Sequence, residues 1–271
     1  MRRAMTAVAL ALGLGVGLQL ARDLSLAQPE TRCSDDSVLS GTVCIDKYEA
    51  SAWYVPPEQK GLVTRIQNGT VTLASLRAGG AVQVGLVKGD LAASGCPLDG
   101  AGCVSVYAAS LPGVQPAGFN TYFQAAAAAR NSLKRLPTNQ EWQAAALGTP
   151  DGAPCNVGPD EAYPPPANTG SAPDCVSDVG AVDMVGNLWE RVADWADFAN
   201  ACTKAVFGKD LECFGGPGSP EALASHPSAI IRGGFSGPFT LGGGTNAGVF
   251  ALRANVTTEF NPAGIGFRCV R

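Results

Sequence analysis

The placement of the cysteines constrains this chain more than any other feature. There are nine in 271 residues. Eight of them fall close to a neighbour: Cys33 with Cys44, Cys96 with Cys103, Cys155 with Cys175, and Cys202 with Cys213. Each pair brackets a short polar or Gly/Pro-rich stretch, where a cross-link removes conformational freedom from the unfolded chain. Spacing suggests this pairing without fixing the connectivity, and it leaves Cys269 over. Such a framework belongs in an oxidising compartment.

The N-terminus points the same way. It reads MRRAMTAVALALGLGVGLQLARDLSLAQ. Arg2 and Arg3 precede a charge-free run from Ala4 to Ala21, and Ser25 and Ala27 form a small-residue cleavage site before Gln28. That is the pattern of a secretory signal over residues 1–27. The alternative is an uncleaved anchor, since the run is about long enough to span a bilayer. Export to the periplasm, the cell surface or the medium is expected, with membrane contact only through an uncleaved N-terminal segment.

Residues 28–271 show no internal repeat and no Pro/Ser linker, and read as a single domain. Apolar residues make up 46% and charged residues only 15%, which excludes the usual disordered composition. The net charge is −4, and −6 once residues 1–27 are set aside. Such a surface repels phosphate backbones, so no nucleic-acid partner is expected.

Along the chain, Gly41 to Tyr54 alternates, carries β-branched and aromatic residues, and reads as a strand. Leu62 to Val87 carries short β-rich runs, with a hairpin signal at Asn68-Gly69, and Gly95 to Gly118 is loop-rich. Asn120 or Thr121 caps a helix over Tyr122 to Asn131. A second helix starts after Thr138, where Glu141 three residues on completes a capping box. Trp142 and Ala145 then share one face. Gly148 to Pro173 reads as a long ordered loop, of a length that needs a disulfide or a bound ion. The last quarter is Gly-rich with short β runs at IIRGGF, AGVFALRA and GFRCVR. The fold class is α+β, with two main helices, short strands and much irregular loop.

Five motifs occur in order: CIDKYEAS from Cys44, RLPTNQEWQAAA from Arg135, CVSDVGAVDMVGNLWERVADW from Cys175, IRGGF from Ile231 and GIGFRCVR from Gly264. Together they resemble the formylglycine-generating-enzyme, or sulfatase-modifying, domain, a variant of the C-type lectin fold. The resemblance implies calcium bound through the side chains of Asp183 and Glu190 and the carbonyls of Gly186 and Leu188. Oxygen-only ligation suits that ion. The alternative leaves Glu190 and Asp194 facing solvent on a short helix. One departure is Arg191, where the family usually carries Trp.

The family's chemistry lacks its residues here. The oxidase branch holds copper(I) with two cysteine thiolates, which suit that soft ion, yet no cysteine lies between Gly233 and Phe267. The iron-dependent branch needs several histidines, and this chain has one, His226, an ordinary loop residue by the same reasoning. Neither copper nor iron is expected, GxSxG is absent, and no catalytic residue is assigned.

The stretch from Ile230 to Arg271 resembles the variable region of diversity-generating retroelement variable proteins, which share the lectin-type fold. Ala247 to Leu252 and Ile265 to Cys269 match their fixed frame. The positions this implies as diversified are Phe235, Ser236, Pro238, Phe239, Thr240, Leu241, Arg253, Val256, Phe260, Pro262 and Gly264. Adenine mutation of an AAC codon cannot reach Trp, Lys, Glu, Gln or Met, and none of these occurs at the eleven sites. On this reading Phe235, Phe239 and Phe260 are exposed anchors of a preorganised face; the alternative packs them in the core. The expected function is an exported, non-catalytic ligand-binding protein whose partner is a protein or a glycan. The alternative is a formylglycine-generating-type, metal-dependent oxidase acting on a protein cysteine.

Overall fold

A computed structural model of the chain describes residues 32–158, 166–196, 228–237 and 241–271. The described residues lie in one compact unit, Arg32–Arg271. The leader, Cys202, Cys213, His226, Pro238, Phe239 and Thr240 lie outside them. The architecture is α+β, as expected.

A hairpin of β1 (Ser37–Ser40) and β2 (Val43–Asp46) opens the domain. A three-stranded antiparallel sheet follows, with β3 (Ala50–Tyr54) between β4 (Val82–Val84) and β5 (Val106–Ser110). The second sheet runs β8 (Gly248–Val256), β7 (Ser228–Gly233), β6 (Trp189–Ala196), β9 (Ile265–Phe267). Its β6–β9 pair is parallel. The expected strand over Gly41–Tyr54 is thus two strands, which serve different sheets.

The α-helices among the described residues are α1 (Lys60–Gln67), α2 (Leu73–Ala78), α3 (Asp90–Ala93), α4 (Tyr122–Asn131) and α5 (Asn139–Ala146). The stretch Leu62–Val87, expected to be β-rich, carries α1 and α2 with only β4 extended, the loop-rich stretch Gly95–Gly118 contains β5, and the hairpin expected at Asn68-Gly69 is a helix end instead. Asn68 caps α1, and Gly69 takes φ +68° just beyond it, where glycine meets no Cβ penalty. Both sequence-marked helices form as read. Thr121 and Thr138 each accept a hydrogen bond from the backbone N–H three residues on, and Gln124 and Glu141 return the bond. Trp142 and Ala145 are buried together.

Three of the four expected disulfides lie in the described residues and all three form: Cys33–Cys44, Cys96–Cys103 and Cys155–Cys175. The last ties the loop after Gly148 to the segment before β6. Cys269 is a buried free thiol, pushed well up by desolvation. Arg271 ties its segment back to β2 and α1. Cys44 N–H donates to the Arg271 carbonyl (3.1 Å) and Arg271 N–H to the Cys44 carbonyl (2.9 Å). The Arg271 side chain reaches Asp36 (2.9 Å) and the carbonyls of Ile66 and Gln67 that end α1.

Three disulfides fit an oxidising environment. No helix among the described residues is long and apolar enough to cross a membrane.

Candidate functional site

The turn before β6 is built on left-handed residues. Asp183 (φ +58°), Gly186 (φ +78°) and Asn187 (φ +57°) bend the chain into β6. A side chain on Gly186 would strike the Asn156 carbonyl. Asn187 donates from Nδ2 to Glu49 Oε2 (2.5 Å), and its Oδ1 accepts from Asn156 Nδ2 (3.0 Å) and Ala167 N–H (2.9 Å). Glu49 Oε1 accepts from Leu188 N–H (3.1 Å). One asparagine therefore joins β3, the disulfide loop and β6.

The carboxylates expected to hold calcium are already engaged. Glu190 is 1% exposed, inside rather than on a solvated helix. Its Oε2 accepts from Trp142 Nε1 (2.7 Å) and Arg268 Nε (2.6 Å), and its Oε1 accepts from Arg268 Nη2 (2.6 Å). The remaining Arg268 donors reach backbone carbonyls, among them Asp46 (3.1 Å) and Val182 (2.9 Å). Asp183 Oδ2 accepts from Gly170 N–H (2.7 Å). Of the residues expected to hold calcium, Asp183, Gly186, Leu188 and Glu190, the last thus takes positive charge from a bidentate guanidinium. Among the described residues no group of three or more His, Cys, Asp and Glu side chains is disposed to hold a metal. Burial, and then the like charges of Asp183 and Glu190, push the neighbouring Glu49 well above the usual carboxylate range.

The candidate binding positions divide sharply. Phe235 is 5% exposed, packed with Trp189, Ile231, Val256 and Ile265. It is a core residue and not an exposed anchor, because two glycines make room for it. Its ring lies against Gly237 and Gly264, where any side chain would collide. Ser236 is also buried, with its N–H (3.1 Å) and hydroxyl (3.3 Å) both donating to the Asn187 carbonyl. Val256 is buried opposite Ala229. Leu241, Arg253, Pro262 and Gly264 are half-buried, and Phe260 is 37% exposed. Leu241 offers its carbonyl to Trp189 Nε1 (3.0 Å).

The segment carrying Phe260 and Pro262 is held by its backbone. Tyr122 N–H donates to the Thr258 carbonyl (2.9 Å), and Phe119 N–H to the Pro262 carbonyl (3.1 Å). Arg191 Nη2 donates to the Phe260 carbonyl. None of these bonds uses a side chain of the segment itself.

Sequence reasoning missed two exposed aromatic features. Phe250, assigned to the fixed frame, is 65% exposed on β8 between buried Val249 and Ala251. Strand alternation there marks it as outward. Trp195 is 42% exposed and packs edge-to-face on Tyr122 (5.2 Å) and Phe123 (6.1 Å). No periodicity links these three in the sequence; only the α4–β6 contact does.

Residues 107–271 match the family described as the sulfatase-modifying factor enzyme 1-like domain. No curated protein matches the chain. Among solved structures it is similar to the Major Tropism Determinant U1 variant, with 24% identity and TM-score 0.38 over 56% of this chain and 37% of that one. The M1 variant gives 26% identity and TM-score 0.35, over 55% and 37%. This chain thus spans little more than a third of the length of those relatives. A structure titled "Crystal Structure of CarF" gives 15% identity and TM-score 0.41, over 84% and 85%.

Proposed function

The chain belongs to the sulfatase-modifying factor enzyme 1-like family, and from that premise we propose that it is an exported, non-catalytic ligand-binding protein with a diversifiable C-terminal face. The observation that carries the reading is the missing thiolate pair. No cysteine lies between Gly233 and Phe267, so the family scaffold persists without the ligands its copper chemistry requires. Cys269 does not replace them: it is single, buried and held in its protonated form.

The way the face is anchored supports recognition. Thr258, Phe260 and Pro262 are fixed through their carbonyls, so their side chains are free to change without redirecting the chain. Preorganisation of that kind lowers the entropic cost of binding. On this reading Phe260, Pro262, Arg253 and Leu241 contact the ligand, together with Pro238, Phe239 and Thr240, while Phe235, Ser236 and Val256 shape the floor beneath them. The ligand is a protein or a glycan. The leader delivers the chain to the periplasm, the surface or the medium, where its disulfides persist.

The test is turnover. Purified chain is incubated with copper(I), oxygen and a sulfatase-type cysteine peptide, and the peptide is examined by mass spectrometry. The expected result is unchanged cysteine. Formylglycine in the product establishes the oxidase reading in its place.

A further inference from the structure

Two neighbouring residues of β6 face opposite sides of the sheet and meet opposite fates. Glu190 is neutralised by Arg268 (2.6 Å). Arg191, next to it, is an equally buried guanidinium with 0% exposure, yet it has no carboxylate partner among the described residues. Its Nε donates to Asn120 Oδ1 (3.1 Å), and its Nη2 to the Asn120 carbonyl (2.8 Å) and the Phe260 carbonyl. Its Nη1 is buried and has no hydrogen-bond partner.

A guanidinium carries five donors and remains charged throughout the physiological range. Buried charges are ordinarily paired, because removal from water is costly unless something compensates it. Here the compensation is incomplete in both respects: donors on Nη1 are unused, and the charge is unmatched. Desolvation pushes Arg191 down to about 9, with only Tyr122 opposing.

The helix beside it adds positive potential. Asn120 directly precedes Thr121, the N-cap of the ten-residue α4. The positive end of the α4 dipole therefore adjoins an uncompensated cation. An aromatic side chain would fill the position without the electrostatic cost, and Trp is what the motif resemblance leads one to expect there.

We propose that Arg191 Nη1, a buried donor without a partner beside the start of α4, is the receptor for a small monovalent anion, a halide or a carboxylate, behind the Thr257–Gly264 segment. Occupancy supplies the missing counter-charge and uses the idle donors. It also stiffens the Phe260 carbonyl contact, which shares the same guanidinium. The proposal stands apart from diversification, since Arg191 is not one of the variable positions.

The experiment is a set of thermal melts of the disulfide-intact chain at matched ionic strength. Sodium chloride, bromide or acetate is titrated against sodium isethionate as the ionic-strength reference. Wild type is compared with Arg191→Met, so that bulk salt effects cancel. The expected result is a saturable Tm rise of about 3 °C or more in wild type, absent in the variant. Saturation by chloride and bromide alone identifies a free halide; saturation by acetate alone identifies the carboxylate of a ligand. An identical anion response in both proteins overturns the proposal. Should Arg191→Met fail to fold, wild-type crystals soaked in sodium bromide decide the matter. An anomalous peak within hydrogen-bonding distance of Arg191 Nη1 is expected, and a water or empty density there overturns it.

Discussion

The ring of Phe235 occupies the space that any side chain on Gly264 would need: a Cβ at Gly264 would stand 2.8 Å from Phe235 Cδ2. The two positions are twenty-nine residues apart, and both fall among the positions assigned to the variable set. Phe235 belongs to the cluster of Trp189, Ile231, Val256 and Ile265, so the conflict is settled inside the core.

That relationship gives a coupling to measure. Gly264→Ala should overpack the site and cost about 1–3 kcal/mol. Phe235→Ala should leave a cavity and cost about 3–5 kcal/mol. The double variant should be more stable than the sum of the two losses implies, by about 1 kcal/mol or more. Urea unfolding of the four proteins checks this; simple additivity would show that the ring does not abut Gly264.

The Arg268–Glu190 pair should be indispensable, and calcium should not. Removing either partner leaves an uncompensated buried charge, at a cost of about 3–5 kcal/mol. We expect Glu190→Ala and Arg268→Ala to lower Tm severely. EDTA or added calcium should leave wild-type Tm unchanged. A calcium-dependent Tm rise would mean that the ion displaces the guanidinium from Glu190.

Acid sensitivity has a local source at the start of α5. The Glu141 carboxyl lies at about 2, lowered first by the Arg135 guanidinium that donates to it (2.7 Å). A depressed folded value means that the contribution is present above the ordinary value of 4.5 and is lost as pH falls toward about 2. Arg135 is 51% exposed, so screening holds the contribution to about 1 kcal/mol or less. Glu141→Gln should flatten the stability profile between those values by that amount. A profile as steep as that of wild type would assign the acid sensitivity elsewhere.

The Cys155–Cys175 bridge closes a separation of 20 residues. On the chain-entropy account its loss costs about 3 kcal/mol. Replacing both cysteines with alanine should therefore lower stability by about that much. Unchanged stability would mean that the Asn156–Asn187 contacts hold the loop unaided.

Much of the fold was legible because its signals are local. A threonine followed three residues later by Gln or Glu marks both capped helices, and close cysteine neighbours mark the bridges. Asn68-Gly69 misled because the same dipeptide serves a hairpin and a helix end; only the flanking Leu62 and Ile66, buried on one face of α1, tell them apart. The site was harder to read. The apparent calcium ligand Glu190 is paired with Arg268, 78 residues away, and no spacing rule reaches that far. Phe235 resembled a surface anchor because the glycines that accommodate it also give its surroundings the look of a loop. The departure at Arg191 was visible at once, but its lack of a counter-charge is a property of the packed interior.

The central claim is a fixed frame that carries a changeable face, and sequencing the 3′ end of the gene across many clones tests it most directly. Substitutions should gather at the codons for Arg253, Phe260 and Pro262, matching adenines in a nearby near-copy of that stretch. The codons for Glu190, Arg232 and Arg268 should stay constant. An invariant 3′ end with no such copy, or changes falling equally on Arg268, would contradict it.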